Sequence, residues 1–126
     1  MNALILIAVG GALGATTRYG LTQWVNTNTP LRYLPGTLMV NVLGSFFMGC
    51  LFAWLINKPS TGDGLRLFLG VGFLGAFTTF STFSLETLQY LQRGDVQVAV
   101  FNMLSSVAAS LLAVFAGFYL VRSVMN

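Results

Sequence analysis

The sequence predicts an all-α membrane protein with four transmembrane helices, and two observations lead to this fold class. Only 7% of the 126 residues are charged and 56% are hydrophobic, whereas an average soluble domain carries about 25% charged residues. Uncharged runs cover residues 33–57, 67–85 and 96–121, and an N-terminal run extends past Arg18 to residue 24. Each run has about the 20 residues that a helix needs to cross a bilayer. Because four spans occupy nearly the whole chain, residues 1–126 are expected to form a single four-helix transmembrane domain.

The first helix is predicted over residues 4–24. Gly10 and Gly14 have the GxxxG spacing that lets two helices approach closely, although glycine is common in membrane helices. A secretory signal peptide is the alternative reading of this segment, but such a peptide normally begins with basic residues. Residues 1–3 contain none, and the first charge, Arg18, follows the apolar run.

The remaining helices are predicted over residues 36–56, 65–91 and 96–121, and the connections between the four helices are short. Residue types that favour turns cluster in each connection. The predicted connections are residues 26–35, with Pro30 and Pro35 as helix breakers, residues 58–64 and residues 93–95.

Polar residues repeat at every fourth position in the second and fourth helices, so each set lies on one helix face. The sets are Thr37, Asn41 and Ser45 in the second helix, and Asn102, Ser106 and Ser110 in the fourth, with Ser105 beside them. Polar side chains avoid lipid and usually face a protein interior or a water-filled path. The two stripes therefore indicate either a polar path or hydrogen bonds between helices.

The third helix contains an unusual segment, GFLGAFTTFSTFSLET at residues 72–87, in which closely spaced glycines precede hydroxyl residues at mid-membrane depth. One interpretation is a broken helix. Breaks are tolerated in a membrane where protein buries them or a cavity lines them, and they free carbonyl groups that can coordinate a cation. The alternative interpretation is a glycine-rich packing face without a break.

Phe77, Phe80 and Phe83 recur every three residues in this segment, which predicts that they lie close together on one side of a helix. Such a stripe often contacts lipid, but hydroxyl residues alternate with this one: Thr78, Thr79, Ser81 and Thr82. Aromatic rings have a positive edge, and ring edges beside hydroxyl donors suit a small anion. Glu86 is the lone acid at membrane depth, and Arg18 adds a cation that would draw anions toward a vestibule.

The composition argues against several function classes. The six basic residues are scattered, so nucleic acid is not an expected partner. The chain has no histidine, and its one cysteine, Cys50, lies in an apolar run. A disulfide within the chain, the usual transition-metal sites and a His-based triad are therefore not expected, and neither is an enzyme.

Several strings together resemble the Fluc (CrcB-type) fluoride channel family. They are GATTRYG at residues 14–20, PGTLMVNVLGSF at residues 35–46, the segment at residues 72–87, and the Ser106 and Ser110 pair. The resemblance covers essentially the whole chain. It implies a passive, fluoride-selective channel, multi-pass in the inner (plasma) membrane of a prokaryote, that exports fluoride and relieves its toxicity. It also implies an antiparallel, dual-topology homodimer with two pores and a third helix broken near its middle, and the partners are then fluoride, the lipid bilayer and a second copy.

The resemblance also assigns roles to individual residues. Phe80 and Phe83 match the paired pore phenylalanines, Asn41 matches the pore asparagine, and Arg18 matches the vestibule arginine. Asn102 stands where some members carry tyrosine, so the match is weaker there. The implied pore or anion-binding set is Arg18, Thr37, Asn41, Thr79, Phe80, Phe83, Glu86, Asn102, Ser106 and Ser110.

A structural sodium ion at the dimer interface is the one cofactor that the resemblance implies. The matching ligands are the backbone carbonyls of Gly75 and Thr78. Ala76 replaces a second glycine that some members have, which changes local flexibility and leaves the number of carbonyls the same.

Two other functions compete with a fluoride channel. A small proton-coupled multidrug-type transporter also uses four short helices, but it needs a membrane-embedded carboxylate that changes its protonation state. Glu86 is the only residue available for that task. A membrane scaffold without transport is the other alternative, and it would leave the polar stripes with packing as their only role.

Overall fold

The computed structural model describes residues 2–29 and 35–126, and no strand occurs among them. Four helical spans are long and apolar enough to cross a membrane: Ala3–Asn28, Gly36–Asn57, Gly62–Gln92 and Val96–Met125. The prediction of an all-α chain with four membrane spans is confirmed. Large apolar side chains remain exposed on all four spans, as expected where lipid or another protein subunit replaces water.

Three spans are close to the predicted bounds. Helices α1 (Ala3–Asn28), α2 (Gly36–Asn57) and α6 (Val96–Met125) are continuous. The short connection before α6 is also observed, and Gly94 makes the turn there with a φ of 81°, a conformation that glycine adopts without strain.

The prediction of a loop beginning at residue 26 is wrong, because α1 continues to Asn28. The Asn28 amide donates to the Trp24 carbonyl oxygen over 2.8 Å, and the Thr29 N–H donates to the Val25 carbonyl oxygen. Asn26 belongs to α1. Its Oδ1 accepts a hydrogen bond from the Gly36 N–H over 2.8 Å, so it satisfies a backbone donor at the start of α2. Pro30 and Arg32 lie outside the described residues.

The third span consists of several short pieces. After a 3₁₀ turn at Pro59–Thr61, helix α3 (Gly62–Leu65) leads into a π-helix at Arg66–Leu74, then α4 (Gly75–Phe77) and α5 (Phe80–Gln92). The prediction that residues 58–64 are all loop is therefore wrong in its second half. Between α4 and α5, Thr78 and Thr79 have extended backbone, with ψ of 157° and 118°.

Glycines determine which helices pack closely. A Cβ atom at Gly10 would collide with the Phe68 carbonyl oxygen of the π-helix, and one at Gly14 would collide with the Phe73 carbonyl oxygen. The close approach predicted from the GxxxG spacing is therefore confirmed. A similar pair joins α2 and α6, where a Cβ at Gly49 would meet the Val114 carbonyl and one at Gly117 the Phe46 carbonyl.

Candidate functional site

The interruption between α4 and α5 is held by one side chain from α2. Asn41 donates from Nδ2 to the Thr79 carbonyl oxygen over 3.0 Å, and its Oδ1 accepts from the Thr79 N–H over 2.8 Å. Extended backbone cannot satisfy its own polar groups, and leaving them without partners away from water is costly. Asn41 therefore supplies the acceptor that the Thr79 N–H loses when the helix stops. Its amide also adds a donor to the Thr79 carbonyl, which as the N-cap carbonyl accepts the first bond of α5 as well.

A second residue caps the restart of the helix. Thr79 is the N-cap of α5, and its Oγ1 accepts from the Thr82 N–H over 3.1 Å. This hydroxyl also lies 3.1 Å from the Thr82 Oγ1 and 3.2 Å from the Ser81 Oγ. The hydroxyl-rich stretch after the glycines thus contains the capping chemistry that lets a helix begin at mid-span.

The same hydrogen bonds remove the usual partners of two carbonyl groups. In an uninterrupted helix the Gly75 carbonyl would accept from the Thr79 N–H, and the Thr78 carbonyl from the Thr82 N–H. The Thr79 N–H donates instead to Asn41, and the Thr82 N–H to the Thr79 side chain. Gly75 and Thr78 are the residues whose carbonyls the resemblance to the fluoride channel family implies as sodium ligands.

A groove of about 450 Å³ lies beside this interruption, and we call it the polar groove. It brings together residues from α2, the interruption, α5 and α6. Its lining consists of Asn41, Gly44, Ser45, Met48, Thr78, Thr79, Phe80, Phe83, Ser106, Val107, Ser110, Leu111 and Val114. The set contains both predicted phenylalanines and the two predicted serines of α6. The sequence analysis did not identify Gly44, where a Cβ would collide with the Thr78 side chain.

Hydroxyl groups in this region fall into two classes. Ser84, Thr87 and Ser105 donate to the carbonyl four residues earlier in their own helix, over 2.6–2.9 Å. Within the described residues, the hydroxyls of Ser45, Ser106 and Ser110 form no hydrogen bond, although all three line the polar groove. These three hydroxyls therefore keep their donor capacity for a bound species.

The two phenylalanines of the polar groove are adjacent but differently exposed. Their ring centroids are 5.3 Å apart, and Phe80 is 77% exposed whereas Phe83 is 9% exposed. The prediction that Phe77 joins them on one helix side is wrong, because the interruption separates α4 from α5. Phe77 instead stacks on Phe73, with centroids 5.9 Å apart.

A smaller cleft of about 210 Å³, which we call the vestibule cleft, meets the polar groove at Thr79, a residue that lines both. Its other lining residues are Arg18, Tyr19, Thr22, Gln23, Thr37 and Thr82. Arg18 and Thr37 therefore line the same cleft, whereas Ser106 and Ser110 line the polar groove. Thr22 and Gln23, which extend the polar lining along α1 beyond Arg18, were not among the predicted site residues.

Glu86 lies next to the vestibule cleft and outside both linings. Its Oε1 accepts from the Thr37 hydroxyl over 2.6 Å. Among the described residues, its Oε2 and the Arg18 Nε are buried and have no hydrogen-bond partner. A carboxylate and a guanidinium group thus each retain hydrogen-bonding capacity near this cleft.

Asn102 occupies a different position from the two serines below it in the stripe. It is buried, and its amide donates to the Thr87 hydroxyl over 3.1 Å, so it links α6 to α5. It does not line the polar groove. The Asn102 amide thus forms a hydrogen bond between helices, which was one of the two alternatives for the polar stripes. Its partner, Thr87, was not among the predicted residues.

Comparisons with known proteins agree on one family. A family model described as "CrcB-like protein, Camphor Resistance (CrcB)" matches residues 5–118. A relative from Dehalococcoides mccartyi, named "Fluoride-specific ion channel FluC", is 47% identical over 120 residues, which are 95% of this chain and 92% of the relative. Proteins of the same name from Rhizobium meliloti and Magnetococcus marinus are similar as well. The first is 39% identical over 99% of this chain and 100% of the relative, and the second is 48% identical over 88% and 90%.

Proposed function

This chain belongs to the CrcB-like protein family, and on that premise we propose that it is a channel that lets fluoride leave the cell passively through the inner membrane. The relatives are named as ion channels, so the protein is not an enzyme. Its four apolar helical spans make it a multi-pass membrane protein. Export of fluoride would relieve its toxicity.

The observation that carries this proposal is the polar groove with the unengaged hydroxyls of Ser45, Ser106 and Ser110. Fluoride is small and holds its water tightly, so a channel must replace that water with donors and still bind weakly enough to release the ion. Ser106 and Ser110 supply such donors one helical turn apart on α6. Phe80 and Phe83 add ring edges of mild positive character that do not carry a fixed charge.

The vestibule cleft supplies the electrostatic entry to this path. Arg18 lies there, and Thr79 belongs to both linings, so the two clefts are neighbours along one route. A cation near the mouth raises the local concentration of anions. The Glu86 carboxylate accepts a hydrogen bond from Thr37, which lines the vestibule cleft, so its charge would partly oppose this attraction.

A second copy is proposed as the missing wall of the polar groove. Phe80 lines the groove and is 77% exposed, so a single subunit leaves the groove open on that side. Lipid does not solvate an ion, and a wall of protein is therefore needed around the path. An antiparallel homodimer with dual topology would close one groove on each subunit and make two pores.

A structural sodium ion is proposed at the interruption of the third span. Unwound carbonyls are known ligands of sodium in membrane proteins, and the carbonyls of Gly75 and Thr78 have lost their helical donors. The helix break therefore has two proposed roles, which are to present cation ligands and to set the phenylalanines along the proposed path. Replacing sodium with choline should lower the melting temperature of the purified dimer, and an unchanged melting temperature would contradict this site.

Fluoride efflux from proteoliposomes tests the proposal. With potassium and valinomycin to balance charge and with no proton gradient, the protein should release fluoride and retain chloride. The multidrug-type alternative requires a proton gradient and a protonatable Glu86, and the names of the relatives do not favour it. Fluoride release only under a proton gradient, or equal release of chloride, would contradict a passive fluoride channel.

A further inference from the structure

Asn102 is connected to a residue of the polar groove through a short chain of hydrogen bonds. Its amide donates to the Thr87 hydroxyl over 3.1 Å, and that hydroxyl donates to the Phe83 carbonyl oxygen over 2.9 Å. Asn102 is 3% exposed and Thr87 is 9% exposed, so water has little access to compete for these bonds. Phe83 lines the polar groove, whereas Asn102 and Thr87 do not.

The arrangement of α5 and α6 relates this chain of bonds to a level of the groove. Only residues 93–95 separate the two helices, and helices joined by so short a connection pack as an antiparallel pair. Four residues are about one helical turn. One turn back from Thr87 is Phe83, and one turn forward from Asn102 is Ser106. Phe83 and Ser106 therefore lie at one level of the pair, and both line the polar groove.

Helix α5 is also attached to α2, on the other side of the groove. The Thr79 N–H at its start donates to Asn41, and the Glu86 carboxylate accepts from the Thr37 hydroxyl. These bonds fix α5 relative to α2 and say nothing of its position along α6. The bond from Asn102 supplies that second restraint, because its donor belongs to α6.

We propose that Asn102 is a positioning residue of the channel, which sets the register of α5 against α6 through Thr87 and so holds Phe83 at the level of the Ser106 hydroxyl. The inference rests on the proposed function, since it concerns the groove through which fluoride would pass. An apolar side chain of the same size could fill the position of Asn102. The register would then depend on apolar contacts, which are not directional, whereas a small anion needs its donors at closely defined distances.

Unitary fluoride currents in planar bilayers test this role, because they report on each assembled channel and do not depend on how many channels have folded. Asn102→Leu removes the donor of the bond between the helices, and Thr87→Val removes its acceptor and keeps a branched side chain. Each variant should lower the unitary current by about threefold, the factor that corresponds to an average side-chain hydrogen bond between membrane helices. Thr87→Ser keeps the hydroxyl and should keep the parental current.

Ser84→Ala is the matched control on the same helix. The Ser84 hydroxyl donates to the Phe80 carbonyl oxygen over 2.9 Å, as the Thr87 hydroxyl does to that of Phe83, but among the described residues it has no bond to α6. This variant should leave the unitary current unchanged. The double variant Asn102→Leu/Thr87→Val should conduct like Thr87→Val alone, because both substitutions act through one bond.

A merely structural role for Asn102 would reduce the number of channels and leave the current of each one at the parental value. Parental unitary currents in Asn102→Leu and Thr87→Val would therefore overturn the proposal, and the fluoride channel itself would stand. Additive losses in the double variant would also overturn it, because Asn102 would then act independently of Thr87. If the parent carries no fluoride current, the proposed function is wrong, and this inference with it. If Asn102→Leu does not assemble, Thr87→Val and Ser84→Ala still decide the matter.

Discussion

Replacing Asn41 with leucine is the substitution for which the structure makes the sharpest forecast. Asn41 makes two hydrogen bonds to Thr79, one to its N–H and one to its carbonyl. Leucine has similar bulk and can make neither bond, so the Thr79 N–H loses its partner at membrane depth and the Thr79 carbonyl keeps only the bond that it accepts as the N-cap of α5. Side-chain hydrogen bonds inside membrane proteins average about 0.6 kcal/mol and reach about 1.7 kcal/mol. Asn41→Leu should therefore lower the free energy of unfolding by roughly 1 to 3 kcal/mol.

Ser110→Ala is the matched control, because it also removes a polar group from the polar groove. The Ser110 hydroxyl has no hydrogen bond within the described residues, so its loss should change the free energy of unfolding by less than about 0.5 kcal/mol. Fluoride flux should fall in both variants. In Ser110→Ala the path loses a hydrogen-bond donor, and in Asn41→Leu the interruption between α4 and α5 loses its two hydrogen bonds to α2.

Equilibrium unfolding of the purified protein in mixed micelles, followed by tryptophan fluorescence, measures the stability difference, and a fluoride electrode measures efflux from liposomes. If Asn41→Leu and Ser110→Ala have equal stability, the two hydrogen bonds to Thr79 do not stabilise the interruption, and the argument from satisfied backbone groups is wrong.

Further predictions concern the phenylalanines, the helix packing and the topology. Phe80→Ile and Phe83→Ile remove the ring edge and keep apolar bulk, so each should form a dimer on size-exclusion chromatography and fail to release fluoride; parental flux in both would refute an anion-contact role. Gly10→Ala introduces a Cβ against the Phe68 carbonyl and should lower the melting temperature, whereas Gly20→Ala, with open space around it, should not, and equal melting temperatures would contradict the close packing. Reporter fusions at the C-terminus should be active on both sides of the membrane, since basic residues give little bias to either side, and activity on one side only would count against dual topology.

Much of the fold could be predicted from the sequence because the membrane restricts the choices. A run of about 20 uncharged residues in lipid must be helical, since no water is present to satisfy its backbone. The Gly10 and Gly14 spacing predicted a close helix contact for the same kind of reason, because only glycine permits it. Both constraints act within one short stretch of the chain, so they can be recognised from the residue types and spacing in that stretch alone.

The candidate site was only partly predictable. The resemblance to the fluoride channel family implied that Phe80, Phe83, Ser106 and Ser110 belong together, and the structure brings them to one groove. The roles of Asn41 and Asn102 depended on partners far away in the chain. Both are amides in a polar stripe, yet one bonds to backbone at the interruption and the other bonds to Thr87.

The sequence by itself determined that this protein lies in a membrane and that it has four spans. It also determined where the stretch rich in hydroxyl residues lies. Composition and local spacing carry that information. The tertiary structure decided where the third span stops being helical and which polar groups remain available. Phe77 was assigned to the wrong group because a regular spacing of three assumes an unbroken helix. Whether the Thr79 N–H bonds to Gly75 or to Asn41 depends on how closely α2 packs against the third span, and that distance is a property of the folded protein.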